Sequence, residues 1–258
     1  CNMRCDFCQN YHISQNIITG EAERVRPEEI LSRSLKDERN IGVAFTYNEP
    51  VIWYEYVRDV ALLVKKAGQS IVLVTNGYVS EKTLHEYLGF IDAFNVDLKA
   101  FSNDFYRRLA GASLDPVKKA LKIIAQSGRH LEITTLIIPG RNDSVAEMIE
   151  EASWIAGELG RDVPLHLSRY FPMYKRNDPV TPEETLQRLY DTARSYLNYV
   201  YVGNLPGAAG QDTYCPRCKN TVTRRSGYSV SHPGLKGNRC SSCGMEIYRH
   251  FTSFSSRS

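Results

Sequence analysis

Short apolar segments alternate with amphipathic ones along most of the chain, and this order limits the folds open to it. Six segments have the composition of buried strands, at residues 41–47, 71–75, 91–98, 131–138, 163–168 and 199–202. Helical spacing of apolar residues marks the segments between them, at 51–66, 81–88, 116–126, 144–159 and 182–197. A repeated strand–helix order predicts an α/β fold with a parallel sheet covered by helices. If the sheet closes fully or partly into a barrel, its functional groups belong at the carboxyl ends of the strands.

The seven cysteines form two groups, Cys1, Cys5 and Cys8 at the start and Cys215, Cys218, Cys240 and Cys243 near the end. Clustered cysteines in a chain of 258 residues indicate metal sites rather than disulfides. Thiolate ligands need a reducing compartment, so we expect a cytoplasmic protein. No apolar run approaches the ~18 residues of a membrane span.

The first three cysteines are close enough in sequence to lie on one short loop. Three residues separate Cys1 from Cys5, and two separate Cys5 from Cys8. This spacing suits three corners of a [4Fe–4S] cluster and leaves the fourth iron open to a small molecule. The alternatives are a zinc site, or a disulfide with a spare thiol. A structural zinc site takes four protein ligands, and His12 is a weak candidate for the fourth.

Polar residues follow two of the predicted strands. Asn48 and Glu49 close the strand at 41–47, where the amide and carboxylate are candidate ligand contacts. Glu49 followed by Pro50 equally suits the first turn of a helix. Asn76 ends the strand at 71–75 in an Asn-Gly turn, and it is a candidate pocket residue.

Asn95, Asp97 and Lys99 alternate along one strand and therefore share a face. Polar groups on an inward face are costly to bury unless they bind something, so this face is a candidate binding surface. An internal ion pair is the alternative. The same reasoning places Glu132 with Thr134, and His166 with Ser168 and Tyr170, as candidate pocket linings; a lone histidine on a strand is more often structural.

The last part of the chain, residues 205–258, is predicted to be a linker followed by a cysteine-rich appendage. Its two Cys-x-x-Cys pairs are separated by 21 residues, which favours a zinc ribbon, with mononuclear iron or a second cluster as alternatives. From Thr213 onward eight Lys or Arg face one acid, a net charge of +7, while the remainder carries about −4. We interpret this charge as compensation for four thiolates rather than as a nucleic-acid surface, although a polyanion partner stays an alternative.

Six stretches together carry a family resemblance: Cys-Asn-Met-Arg-Cys-Asp-Phe-Cys-Gln-Asn, Tyr-Asn-Glu-Pro, Thr-Asn-Gly-Tyr, Asn-Val-Asp-Leu-Lys, Leu-Ile-Ile-Pro-Gly-Arg-Asn-Asp and Ser-Arg-Tyr-Phe-Pro-Met-Tyr-Lys. They resemble the radical S-adenosylmethionine (radical SAM) superfamily. Within it they resemble the enzyme of the AmmeMemoRadiSam system, which is similar to pyruvate formate-lyase activating enzyme. The chain departs from the superfamily pattern in one respect, because Tyr47 and Asn48 stand where glycines are usual.

The resemblance implies a partial (βα)₆ barrel over residues 1–204, with a first strand expected before Cys1. It implies that Cys1, Cys5 and Cys8 hold a [4Fe–4S] cluster whose open iron binds S-adenosyl-L-methionine. The expected cofactor contacts are Phe7 near the adenine, Asp97 at the ribose, Lys99 at the carboxylate, and Asn48, Glu49 and Asn76 at the strand ends.

The same resemblance implies an enzyme. A 5′-deoxyadenosyl radical would abstract hydrogen from an unknown substrate, for instance a glycyl-radical-type protein. The alternatives are a small molecule, RNA, or a polyanion-binding protein with an idle barrel. Flavodoxin or ferredoxin is the expected electron donor, and AMMECR and Memo proteins are partners by association. Only 32 residues separate Cys8 from the strand at Ile41, which leaves no room for an inserted ferredoxin domain.

Overall fold

A computed structural model describes residues 1–15, 23–207 and 210–249. Six parallel strands form one sheet in chain order: β1 Gly42–Phe45, β2 Ser70–Thr75, β3 Ala93–Asp97, β4 His130–Ile137, β5 Leu165–Arg169 and β6 Val200–Gly203. Each predicted strand has its counterpart, so the α/β prediction is confirmed. The strand predicted at 41–47 ends early, at Phe45, because Tyr47 and Asn48 have φ angles of 58° and 56°, outside the β region.

Helices connect the strands: α1 Tyr11–Ser14, α2 Pro27–Ser34, α3 Tyr54–Lys66, α4 Glu81–Leu88, α5 Asn103–Phe105, α6 Leu114–Gln126, α7 Val145–Glu158 and α8 Glu183–Arg194. A 3₁₀ turn, Pro50–Trp53, precedes α3, and a π-helical turn, Tyr106–Ala110, continues α5. The pattern did not reveal α1, α2, α5 or the π-helical turn. The helices α1 and α5 have only four and three residues, too few to show an apolar stripe.

The two faces of the sheet differ in burial. Ile71, Leu73, Phe94, Val96 and Ile133 are buried in one cluster with the apolar residues of the helices. Their neighbours along the strands point the other way, and most remain half-exposed. We call this second surface the inner face. In a fully closed parallel barrel both faces of the sheet are buried. Because the inner face is half-exposed, the sheet is not fully closed and a ligand can reach this face.

The tail forms two small antiparallel units. Strands β7 Thr213–Tyr214, β8 Thr221–Ser226 and β9 Ser229–Ser231 make one sheet, and β10 Leu235–Lys236 pairs with β11 Arg239–Cys240. A separate core holds them together, formed by Cys215, Val222, Cys240 and Ile247. In the described ranges no helix is long and apolar enough to cross a membrane.

Candidate functional site

The loop that carries the first three cysteines is fastened by its backbone. The amides of Arg4 and Asp6 donate to the carbonyls of Ala110 and Leu109 at 2.8 and 2.9 Å. The amide of Lys175 donates in turn to the carbonyl of Asp6 at 3.0 Å. The loop is therefore held between the π-helical turn and the segment that follows β5.

The three thiols differ in exposure, and none is in a disulfide: Cys1 is exposed, Cys5 is buried and Cys8 is half-buried. Burial raises the pKa of Cys5 to about 11, although the charge of Lys99 opposes the rise. In the part of the chain that the structure describes, only the tail cysteines lie close enough to chelate one ion. The three N-terminal thiols lie along one short loop, the arrangement in which each cysteine can bind a different iron of a cubane cluster.

Glu49 connects the ends of β1 and β2. Its carboxylate accepts hydrogen bonds of 2.7 Å from both the Thr75 hydroxyl and the Asn76 amide, and one of 3.1 Å from the Val51 amide. Burial raises the pKa of Glu49, and these hydrogen bonds oppose the rise. Glu49 therefore caps the turn that follows, as the helix-start interpretation predicts, and it also positions Asn76. A ligand contact of its carboxylate stays a prediction.

Asn76 reaches the cysteine loop. Its Nδ2 donates to Asn2 Oδ1 at 2.8 Å and lies 3.9 Å from Cys1 Sγ, while its Oδ1 accepts from the Tyr78 amide. Asn2 in turn donates to the Tyr78 carbonyl at 2.7 Å. The end of β2 is thereby tied to the residues beside Cys1.

Asn48 has a polar atom without a protein partner. Its Nδ2 donates to the Ile13 carbonyl at 3.4 Å, whereas its Oδ1 is buried and has no hydrogen-bond partner among the described residues. Asn48 and Tyr47 also keep the left-handed backbone that glycine adopts at lower cost. A buried unpaired oxygen on a strained turn is suited to accept a hydrogen bond from a ligand.

Asp97 and Lys99 form an ion pair of 2.6 Å on the inner face at the end of β3. Burial acts to lower the pKa of Lys99, but the charges of Asp97 and Cys5 outweigh it and raise that pKa above its ordinary value. The backbone amide of Lys99 also donates to the Tyr106 hydroxyl at 3.0 Å. The structure therefore contains the internal pair and places it near Cys5.

Two other side chains, Phe7 and Asn142, are used in packing and in backbone hydrogen bonds. Phe7 is buried with its ring centroid 5.5 Å from that of Phe105. The Asn142 amide bonds to backbone groups of Ile138, Lys99 and Leu136, which leaves little for a ligand. The adenine contact of Phe7 remains a prediction.

A polar row crosses the inner face. Glu132 accepts hydrogen bonds from both His130 and His166, at 3.0 and 2.8 Å. The His166 ring stacks on Tyr201, with centroids 5.2 Å apart. The sequence pattern indicated Glu132 and His166 as pocket linings but not Tyr201, for which the available signal was its alternation with buried Val200 and Val202.

The tail cysteines converge as the spacing predicted. Their ligand atoms all lie within 4.8 Å of one another, with Cys215 Sγ and Cys243 Sγ 3.5 Å apart. Burial opposes ionisation of Cys240, but backbone amides of Cys243 and Ser242 and the neighbouring thiols lower its pKa to about 6. Four converging sulfurs on such a small core suit a structural metal ion.

Fold and site together define a class of protein. The sequence model of the Radical SAM superfamily matches residues 1–152, which is more than half of the chain. The chain therefore belongs to the radical SAM superfamily and is an enzyme. Membership implies a [4Fe–4S] cluster and S-adenosylmethionine, and the three thiols on one loop fit that cluster.

The chain is similar to two relatives in sequence and to one solved structure in fold. An uncharacterized protein of Methanocaldococcus jannaschii is 35% identical over 260 residues, covering 96% of this chain and 74% of that protein. Pyruvate formate-lyase 1-activating enzyme of Escherichia coli is 26% identical, covering 63% of this chain and 66% of that enzyme. A radical SAM methyltransferase from Sphaerobacter thermophilus shares the fold, with a TM-score of 0.61, 18% identity and coverage of 80% of this chain and 65% of that one.

Proposed function

We propose that this enzyme activates a protein by forming a radical on a glycine of its partner. One observation supports binding of the cofactors: the cysteine loop is held by backbone hydrogen bonds, and Asp97 and Lys99 lie close to Cys5. Relatives named as activating enzymes support the protein substrate, among them pyruvate formate-lyase 1-activating enzyme and benzylsuccinate synthase activating enzyme.

Each part of the site has a role in this proposal. Cys1, Cys5 and Cys8 hold the cluster, and Asn76 positions the loop through Asn2. Lys99 would neutralise the methionine carboxylate as a compact charge, and Asp97 would accept from the ribose hydroxyls. We further propose that the unpaired Asn48 Oδ1 accepts from the methionine ammonium, that Glu49 keeps that turn in place, and that Phe7 lies near the adenine.

When bound, the cofactors supply one electron to the sulfonium and a 5′-deoxyadenosyl radical that takes a hydrogen atom from the substrate. The protein holds the reacting groups at the right distance and orientation and excludes water from them. We propose a flavodoxin or ferredoxin as electron donor, AMMECR and Memo proteins as partners, and the cytoplasm as the compartment. We also propose zinc for the four tail cysteines, and a boundary at residue 204 between barrel and tail.

The test uses the full-length chain, which is reconstituted with iron and sulfide under oxygen-free conditions. It is incubated with S-adenosylmethionine, dithionite and partner proteins whose glycines are dideuterated at Cα. The proposal expects deuterium in 5′-deoxyadenosine and a glycyl radical signal by electron paramagnetic resonance on one partner. Cleavage of the cofactor with no label from any protein would reject the activase role and leave a small molecule or RNA as substrate.

A further inference from the structure

The centre of the inner face is a carboxylate shared by two imidazoles. Burial acts to raise the pKa of Glu132, but the hydrogen bonds from His130 and His166 outweigh it and hold that pKa below its ordinary range. Glu132 is therefore ionised at neutral pH, and each ring must donate to it from Nε2. In neutral His166 this leaves Nδ1 as the hydrogen-bond acceptor of the ring.

The His166 ring is fixed from a second side. It stacks on Tyr201 at an interplanar angle of 26°, and the Tyr201 hydroxyl lies 2.9 Å from Thr213 Oγ1 in the tail. The Arg225 guanidinium lies 5.2 Å from the centroid of the Tyr201 ring and donates to Thr213 Oγ1 at 2.8 Å. The orientation of the His166 ring is thus fixed without a ligand, by Glu132 and Tyr201 in the barrel and by the tail residues that contact Tyr201.

The accepting nitrogen is open. Within the described ranges, no hydrogen bond reaches His166 Nδ1. In those ranges the buried side-chain polar atoms that lack a partner are Asp6 Oδ1 and Asn48 Oδ1. His166 Nδ1 is therefore unpaired but accessible to solvent. The His166 side chain is 29% exposed. An oriented acceptor that reaches the inner face is available to a ligand.

A complementary donor lies nearby on the same face. Thr134 Oγ1 donates to Asn95 Oδ1 at 2.9 Å, and no bond in the described part of the chain occupies Asn95 Nδ2. Strand register pairs Asp97 with Thr134 and Thr134 with His166. His166 therefore lies level with Asp97, two strand spacings or roughly 10 Å away.

We propose that His166 Nδ1 accepts a backbone N–H, and Asn95 Nδ2 donates to a backbone carbonyl, of an extended polypeptide substrate lying on the inner face. This rests on the proposed function and names the contacts that present the glycine to the site near Asp97. A peptide backbone offers both a donor and an acceptor. Asp97 and Glu132 balance the charges of Lys99 and Arg225 around this face, so little positive charge remains to attract a polyanion such as RNA.

The first test needs no cofactor. Full chain with ¹⁵N-labelled histidine is titrated with the blocked tripeptide acetyl-Ala-Gly-Ala-amide, and the same peptide with N-methylglycine at its centre serves as the control probe without the central N–H. His166→Gln identifies the resonance among the six histidines. We expect the glycine peptide to move the Nδ1 resonance at least fivefold more than the control. No movement, or equal movement with both peptides, overturns the proposal.

The second test uses the reconstituted enzyme and dideuterated-glycine peptides. His166→Leu removes the acceptor, and we expect roughly tenfold less label per 5′-deoxyadenosine formed, the effect of one hydrogen bond. His166→Gln, which restores an acceptor, should recover part of the transfer. His85→Gln, the same change at an exposed position on α4, should leave the transfer intact.

The two proposals can fail separately. Undiminished label transfer in His166→Leu overturns the role of His166 and leaves the activase proposal standing. Absence of label transfer from every peptide and protein in the unaltered enzyme, combined with the expected Nδ1 response, rejects the activase proposal but retains a peptide-binding inner face.

Discussion

Glu49 accepts a 2.7 Å hydrogen bond from the backbone amide of Asn76, and this bond joins the ends of two strands to the cysteine loop. Asn76 continues the connection to Asn2, and Asn2 to the Tyr78 carbonyl. The loop next to Cys1 thus depends on a buried carboxylate far along the chain. Support of this kind lets a short irregular loop hold its thiols in place.

Replacing Glu49 by Gln tests that connection. One of the two carboxylate oxygens becomes an amide that faces a donor, so we expect a loss of about 1–3 kcal/mol in the free energy of unfolding and less iron per chain. Urea denaturation and iron assay measure both. Glu55→Gln, at an exposed site on α3, is the control and should change neither. Normal stability and iron content in Glu49→Gln would show that the connection is dispensable.

Removing one cysteine from each group should separate catalysis from folding. We expect Cys5→Ala to abolish formation of 5′-deoxyadenosine while the tail still binds metal. Cys240→Ala should instead lower the melting temperature and the metal content of the tail, because its small core depends on the ion. Chromatography of the nucleoside and metal analysis distinguish the two results. Full cofactor cleavage in Cys5→Ala would mean that the cluster lies elsewhere.

The Lys99 ammonium should determine affinity for the cofactor. Lys99→Met leaves Asp97 without its counter-ion and removes a charge from the site, so we expect S-adenosylmethionine to bind about 10–100-fold more weakly. Equilibrium binding to the reconstituted enzyme measures the dissociation constant. Lys119→Met, at a side chain that is 68% exposed, is the control. If the Lys99 and Lys119 variants bound S-adenosylmethionine equally well, Lys99 would have only a structural role in the ion pair with Asp97.

Glu151 should make stability depend on pH. Burial between α7 and β4 raises its pKa from an ordinary 4.5 to about 8, although Thr135 donates to it at 2.6 Å. Between these values the unfolded chain has lost this proton and the folded chain retains it. Stability therefore falls as pH rises from about 4.5 to about 8, by up to about 1.4 kcal/mol per pH unit.

Glu151→Gln, which cannot ionise, should remove this contribution and be more stable than the unaltered protein at pH 8. Denaturation across this pH range measures the slope. Glu150→Gln, at an exposed position on the same helix, should keep the original pH dependence. A parallel pH profile in the Glu151 variant would show that the carboxyl ionises freely in the folded state.

Patterns confined to a few neighbouring residues could be interpreted from the residue order alone. The spacing of Cys1, Cys5 and Cys8 places them on one loop, and the period of two places Asp97 and Lys99 on one face. The two tail knuckles likewise predicted four converging sulfurs. Each inference needs only local chain geometry, which the residue order sets directly.

Contacts between distant segments came only from the tertiary structure. Whether Glu49 meets Asn76, or Glu132 meets His166, depends on the relative register of neighbouring strands, and a one-residue shift would turn every side chain to the opposite face. The contact of Tyr201 with the tail depends in addition on where a separate small core packs. The sequence by itself determined the chemistry of this protein, its thiols and alternating polar faces, whereas packing of distant segments decided which of those groups meet.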